Sequence, residues 1–207
     1  MDRGLKIPFF KGFFDSIIYT NLKIIRKKYL NYTKRAKFCA AVISNIQLTD
    51  GFRLRFINEL DKYKKVDMGG HYNNNVGNIN NKIIFFSSYK FSIVMENTEA
   101  DGYLSEKVIE SFLSGTIPIY YGDYIIDEFI NPKAYILVRG DKDMKTKIDY
   151  IKKIDINDDL YQTIINENIF IDINFSEKMQ KEKIEFFYNI FSQNITVAKR
   201  VDYYNFK

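Results

Sequence analysis

The chain has 207 residues, of which 46% are apolar and 16% aromatic, and this composition is typical of one packed globular domain and excludes a wholly disordered chain. A single Cys and a single His exclude an internal disulfide and a zinc site made of several Cys and His ligands. The 31 Lys+Arg against 26 Asp+Glu leave a net charge of +5, and no apolar run approaches the roughly 20 residues that cross a bilayer. Because the first residues also lack the pattern of a signal peptide, we expect a cytoplasmic protein.

Positive charge is concentrated in the first third of the chain. Residues 1–65 hold 15 Lys+Arg against 5 Asp+Glu, whereas residues 66–207 hold 16 against 21. Such a segment could meet nucleic acid, an anionic membrane or a phosphorylated small molecule, or it could be a solvated Lys-rich helix. Helical periodicity over residues 11–30 predicts a basic amphipathic helix, so peripheral membrane contact through this helix is one alternative. No nucleic-acid recognition motif accompanies the charge, and we expect no nucleic-acid partner.

Short apolar runs alternate with helical patterns along the rest of the chain. The runs predict strands at residues 38–43, 66–68, 91–95, 116–121 and 134–138. Helices are expected from an N-cap at Asp50 to residue 60, at 83–88 and 104–114, and in a helical tail over 141–194. An Asn-rich loop is expected over residues 73–81. Continuously apolar strands are buried on both faces, so the alternation predicts a layered α/β fold with a parallel sheet.

The segment that joins the predicted strand 91–95 to the helix 104–114 is the most informative for function, because ligands of such sheets bind at strand carboxyl ends beside helix N-termini. Lys107 falls in the first helical turn, where the helix dipole disfavours a cation by a few tenths of a kcal/mol, and a bound diphosphate would reverse this penalty. Glu106 could accept hydrogen bonds from two ribose hydroxyls. A surface pair of Lys107 with Glu110, worth about 0.3–0.5 kcal/mol, is the alternative, and residue chemistry alone leaves both open.

Three stretches of the chain are the most distinctive: YKFSIVMEN (89–97), GYLSEKVIE (102–110) and GTIPIYYGD (115–123). Together they resemble the signature of the α-1,3/1,4-fucosyltransferase family. The family's order and spacing are also matched by Ser44-Asn45, Arg53, residues 65–70 and Asn131-Pro132-Lys133. The resemblance covers roughly residues 37–138.

This resemblance implies a GT-B glycosyltransferase, whose carboxy-terminal lobe is a Rossmann-like parallel sheet flanked by helices that binds GDP-fucose. We therefore expect residues 1–207 to form a single lobe of this type with extra C-terminal helices. Its parts would be a basic helical lead-in (1–36), the GDP-fucose-binding core (37–138) and a helical tail (141–207).

The resemblance also implies roles for five residues. Arg53 and Lys107 would hold the phosphates of the donor and act in catalysis, Glu106 would bind the ribose, and Tyr103 and Asn97 would line the phosphate and fucose end of the pocket. Two cations placed at the diphosphate stabilise the charge that develops on the GDP leaving group. The implied partners are GDP-fucose, which is the donor substrate and not a cofactor, and a glycan acceptor.

Family members invert the configuration at the sugar: an acceptor hydroxyl attacks from the face opposite GDP while a carboxylate removes its proton. The family's acceptor-binding lobe supplies that base, and only about 36 residues precede the matching region here, which are too few for such a lobe. The nearby carboxylates Glu96, Glu99 and Asp101 do not sit where the base is expected. We therefore expect a donor-binding lobe with no assigned base, and the alternative is a non-catalytic or truncated nucleotide-sugar-binding module.

Three other signals are weaker. Asp141-Lys142-Asp143 reproduces an Asp-x-Asp metal-binding pattern, but acidic residues are favoured at a predicted helix start, so we expect no metal site. Cys39 lies within an apolar strand and is expected to be an inert core residue. His71 follows two glycines and is expected to be a loop residue, with contact to the donor as the alternative.

Overall fold

The computed structural model describes residues 35–44, 51–97 and 104–172, together with seven helical residues between 181 and 192. In chain order the elements are β1 (Lys37–Val42), α1 (Phe52–Asp61), β2 (Val66–Gly69), α2 (Lys82–Phe86), β3 (Tyr89–Met95), α3 (Lys107–Leu113), β4 (Ile117–Tyr121), a 3₁₀ helix (Tyr124–Glu128), β5 (Ile136–Leu137), α4 (Asp141–Ile156) and α5 (Asp158–Ile165). None of the helices in this part of the chain is long and apolar enough to cross a membrane.

The five strands form one parallel sheet in the order β2-β1-β3-β4-β5. All of β4 and nearly all of β3 are buried, as expected for strands that are covered on both faces. From β1 the chain moves outward to β2, then returns to the other side of β1 and continues through β4 to β5. The strand order therefore reverses between β1 and β3, which is where open α/β sheets bind their ligands.

Two apolar layers cover the sheet. On one face, side chains of α1, α4 and α5 pack against the strands in the larger core cluster, with Phe56 and Ile151 among its fully buried members. On the other face, α3 and the 3₁₀ helix pack through residues such as Phe112 and Ile126. The predicted α/β fold with a parallel sheet flanked by helices is confirmed.

Several predicted boundaries differ from the structure or lie beyond the described residues; the helix predicted over 104–114, for example, spans Lys107–Leu113. β5 covers only Ile136–Leu137 of the predicted 134–138, because Ala134 belongs to a turn in which its N–H donates to the Asn131 carbonyl. Gly51, and not the expected Asp50, takes the N-cap position of α1; Asp50 lies outside the described residues. The basic helix predicted over residues 11–30 also lies outside them.

The predicted Asn-rich loop is present and its side chains bind backbone groups. Asn75 lies along the outer edge of β2: its Oδ1 accepts from the Met68 N–H at 2.8 Å, and its Nδ2 donates to the Val66 carbonyl at 3.2 Å. Its own N–H donates to the Met68 carbonyl at 2.9 Å. Asn81 caps α2 by accepting a hydrogen bond from the Ile84 N–H. The loop is thus fastened to the edge strand at one end and to α2 at the other.

A buried carboxylate, that of Asp155, links α4 to the turn after α1 and to β3. Asp155 of α4 is only 6% exposed and accepts hydrogen bonds from the Tyr63 hydroxyl at 2.9 Å and from Lys64 Nζ. Lys90 of β3 forms a further ion pair with it at 3.4 Å. Burial raises the pKa of Asp155, but the hydrogen bonds from Lys64 and Tyr63 and the charge of Lys90 outweigh this and hold it below its usual value.

Candidate functional site

A cavity of about 310 Å³ opens at the carboxyl ends of β1 and β3, where the strand order reverses. It is walled by the residues that follow these strands, by the N-terminal turns of α1 and α3, and by α2. Four of the five residues predicted for the site line it: Arg53, Asn97, Glu106 and Lys107. The fifth, Tyr103, lies outside the described residues.

Arg53 reaches the cavity from the first turn of α1. It is only 3% exposed, and its Nη1 donates a hydrogen bond to Asn97 Oδ1 at 2.9 Å. Burial lowers the pKa of the Arg53 guanidinium, and the charge of Glu96 opposes this shift. A guanidinium is a very strong base, so Arg53 keeps its positive charge at neutral pH. It is therefore a fixed cation in a mostly desolvated position.

Lys107 is the first residue of α3 and is held by a buried acid. Its Nζ lies 2.7 Å from Glu96 Oε2 and 2.8 Å from Ser105 Oγ. Glu96 is fully buried, whereas the Lys107 side chain is 23% exposed and lines the cavity. The alternative pairing of Lys107 with Glu110 is wrong, because α2 brings Lys82 to Glu110 at 2.9 Å. Lys107 is thus both ion-paired and open to a ligand.

The role of Glu96 escaped the sequence prediction, which weighed it only as a nearby carboxylate. The sequence did contain a signal for this role: Glu96 directly follows a continuously apolar strand, where burial is expected, and a buried acid needs a cationic partner. Two residues of the following helix start, Ser105 and Lys107, supply its hydrogen bonds.

Glu106 occupies the N-cap position of α3 but makes no side-chain capping hydrogen bond, and it lines the cavity. With Arg53, Asn97 and Lys107 it gives the cavity two cations, a carboxamide and a carboxylate, in addition to the Lys82–Glu110 ion pair. Guanidinium and ammonium groups donate to phosphate oxygens, and a carboxylate can accept hydrogen bonds from two neighbouring hydroxyls. This set of side chains suits a ligand that combines a diphosphate with a sugar diol.

The weaker signals fall elsewhere. His71 is exposed and lines a second cavity of about 490 Å³, which shares Val42, Ser44 and Lys82 with the main one. Cys39 is buried within β1, as expected, and burial raises the pKa of its thiol.

The two carboxylates of the Asp-x-Asp pattern are engaged by protein groups at the start of α4. Asp141 is the first residue of the helix and receives two hydrogen bonds from Arg55, at 3.1 and 2.7 Å. Asp143 accepts from the Arg139 N–H at 3.0 Å. Among residues 35–44, 51–97 and 104–172, no group of three or more His, Cys, Asp or Glu side chains is placed to hold a metal ion.

A parallel α/β sheet with a cation-lined cavity at the reversal of its strand order is the architecture in which open α/β sheets bind their ligands. The family described as glycosyltransferase family 10 (fucosyltransferase), C-terminal, matches residues 32–186. The chain therefore belongs to this fucosyltransferase family, and the resemblance seen in the sequence is confirmed.

Relatives and solved structures agree. The chain is similar to the alpha-(1,3)-fucosyltransferase FucT of Helicobacter pylori, with 33% identity over 150 residues that are 70% of this chain and 31% of that protein. It also resembles a solved alpha1,3-fucosyltransferase with GDP-fucose, with a TM-score of 0.71 and 29% identity over 88% of this chain and 54% of that one. A structure of alpha1,3-fucosyltransferase with GDP gives a TM-score of 0.73, with 29% identity over 89% and 55%. The expected Rossmann-like GT-B lobe is thereby confirmed, and the chain spans about a third to a half of the length of these proteins.

Proposed function

We propose that the cavity binds GDP-fucose and that this chain is the donor-binding lobe of an inverting fucosyltransferase of the α-1,3/1,4 type. The observation that carries the proposal is that Arg53 and Lys107, far apart in the sequence, line one cavity at the carboxyl ends of β1 and β3. The matching structures with GDP-fucose and GDP support it, because they share this fold over most of the chain.

In this proposal each side chain meets one part of the donor. Arg53 and Lys107 donate to the diphosphate, and the planar guanidinium can do so with two parallel hydrogen bonds. Glu106 accepts from the ribose hydroxyls, and Asn97 lies beside Arg53 toward the phosphate and fucose end. Tyr103 lies outside the described residues, and its role at the same end stays a prediction.

The two cations contribute to catalysis through the leaving group. As the bond between fucose C1 and the phosphate oxygen breaks, negative charge grows on GDP, and fixed cations stabilise this charge more in the transition state than in the ground state. A glycan hydroxyl attacks C1 from the opposite face while a general base removes its proton. Glu96 is unsuited to be this base, because it is fully buried and is bound to Ser105 and Lys107.

We propose in addition that the donor binds without a metal ion. Arg53 and Lys107 supply positive charge at the cavity beside the Lys82–Glu110 ion pair, and Asp141 and Asp143 are engaged at the start of α4. GDP affinity measured with EDTA is then expected to equal the affinity measured with added Mg²⁺. A marked gain of affinity with Mg²⁺ would contradict this.

Calorimetric titration of the full chain with GDP and GDP-fucose tests the proposal. Arg53→Ala and Lys107→Ala are each expected to weaken GDP binding by at least about tenfold, since each removes a charged hydrogen-bond donor worth about 1.5–3 kcal/mol. Lys62→Ala is the matched control, because this exposed lysine pairs with Glu59 at the surface and does not line the cavity, and it should leave the affinity unchanged. Absence of GDP binding by the native chain, or equal affinities for all variants, would refute the proposal.

Transfer is measured separately from binding. Incubation with labelled GDP-fucose and a glycan acceptor reports fucose transfer by the appearance of labelled glycan. Binding of GDP without any transfer would identify the chain as a nucleotide-sugar-binding module, which is the alternative considered from the sequence.

A further inference from the structure

Glu96 is confined by the backbone and by its neighbours in the sheet. It directly follows β3, and its N–H donates to the Tyr121 carbonyl at 2.8 Å, which extends the pairing of β3 with β4 by one residue. Gly122 stands against it: a Cβ atom at this position would collide with the Tyr120 hydroxyl and lie 2.8 Å from Glu96 Cγ. The side chain of Glu96 therefore has little freedom to move.

The carboxylate of Glu96 is fully used within the protein. Oε1 accepts hydrogen bonds from the Ser105 N–H and from Ser105 Oγ, both at 2.8 Å. Oε2 pairs with Lys107 Nζ at 2.7 Å. A charge that is withdrawn from water is strongly unfavourable unless it is paired and hydrogen-bonded, so these partners are held firmly in place.

We infer that Glu96 is a positioning residue for the donor site: its carboxylate fixes the Lys107 ammonium at the cavity and holds the start of α3 through Ser105. This inference rests on the proposed function, since it assigns the fixed ammonium to the diphosphate. A lysine ammonium has three N–H donors, and Glu96 and Ser105 take two of them. The third is the donor that Lys107 offers to a phosphate oxygen.

Asn97, the residue after Glu96, holds the second cation, Arg53, in place. Asn97 accepts the hydrogen bond of the buried Arg53 guanidinium at 2.9 Å. Both cations are thus held by consecutive residues at the end of one strand, and both line the same cavity. Because the Lys107 side chain is already held in one conformation, it loses little conformational entropy when a ligand binds, and this favours binding.

A double-mutant cycle on the full chain, with GDP as the titrated ligand, tests the inference. Glu96→Gln keeps the size of the side chain and removes its charge, and it is expected to weaken GDP binding about tenfold. In the Lys107→Ala background the same substitution is expected to change the affinity by less than about twofold, because its effect acts through Lys107. Equal losses in both backgrounds would show a merely structural role and overturn the inference.

Two further variants guard against loss of folding. Ser105→Ala keeps the carboxylate and removes the hydroxyl that contacts both Glu96 and Lys107; it is expected to weaken GDP binding a few-fold, and only when Lys107 is present. Asp155→Asn is the matched control, because Asp155 is also a buried acid paired with lysines but lies on α4. It should lower the melting temperature and leave GDP affinity unchanged.

The two proposals can fail separately. A native chain that does not bind GDP refutes the proposed function. If the folded Glu96→Gln and Ser105→Ala variants bind GDP with the same affinity as the native chain, the proposed function stands and the positioning role of Glu96 is refuted.

Discussion

The Arg53 guanidinium donates a 2.9 Å hydrogen bond to the side-chain oxygen of Asn97, which joins the first turn of α1 to the end of β3. Glu96, the residue before Asn97, forms a 2.7 Å ion pair with Lys107. Because consecutive Cα atoms are only 3.8 Å apart, the partners of the two cations move as one unit. The placement of positive charge at the cavity therefore depends on where β3 ends.

Asn97→Asp is expected to weaken GDP binding more than Asn97→Ala does. The aspartate would keep a partner for Arg53 but would add a negative charge beside the diphosphate, whereas the alanine only removes one hydrogen bond. We expect at least about a tenfold loss for the aspartate, or about 1.4 kcal/mol, by calorimetry. Tighter GDP binding by the aspartate variant than by the alanine variant would argue against an anion site here.

Glu106→Gln is expected to weaken binding of GDP but not of 2′,3′-dideoxy-GDP. The proposed partners of the carboxylate are ribose hydroxyls, and a charged hydrogen bond contributes about 1.5–3 kcal/mol. The native affinity for the dideoxy compound should already be reduced to a similar extent. A loss of equal size for both nucleotides would place Glu106 elsewhere on the ligand.

Gly122→Ala is expected to destabilise the fold by about 1–3 kcal/mol, because its Cβ would press on the Tyr120 hydroxyl and on Glu96. Equilibrium unfolding in urea measures the change. We also expect weaker GDP binding by the fraction that stays folded, since displacement of Glu96 moves Lys107. An unchanged unfolding midpoint would show that the end of β4 can accommodate the added Cβ with no loss of stability.

Asp155→Asn is expected to lower stability at neutral pH by about 2–3 kcal/mol, because it leaves Lys64 and Lys90 without their buried partner. The folded-state pKa of Asp155 is depressed, so its contribution is present above the unfolded-state pKa near 4 and is lost as the pH falls through the lower folded-state value. Unfolding in urea should therefore separate the native chain from the variant at pH 7 and bring them together as the pH falls below about 4. A difference that persists unchanged at pH 2–3 would contradict this role of the carboxylate.

Much of the fold follows from local sequence patterns. Buried parallel strands are short and continuously apolar, so β3 and β4 were predicted nearly to the residue. β5 was overestimated because Ala134 and Tyr135 are buried, as strand residues are, but belong to a turn. An apolar run in the sequence predicts burial, whereas the backbone hydrogen bonds that define a strand depend on a neighbouring strand.

Four of the residues that line the cavity, Arg53, Asn97, Glu106 and Lys107, were predicted from the family resemblance, but their partners were not. Spacing along a helix suggested Glu110 for Lys107, since residues three apart are neighbours on one helix. The observed partner, Glu96, comes from the end of a different element and is brought close only by the folded connection between β3 and α3. Partners of this kind require the tertiary structure.

Asn75 has a consequence for how the molecule behaves at high concentration. An outer strand of a sheet presents backbone donors and acceptors that invite a strand from another molecule. The carboxamide of Asn75 instead occupies the Met68 N–H and the Val66 carbonyl on the open side of β2. One loop asparagine thereby occupies the backbone groups through which another strand would begin to pair with β2, and we expect it to disfavour intermolecular sheet growth along that edge.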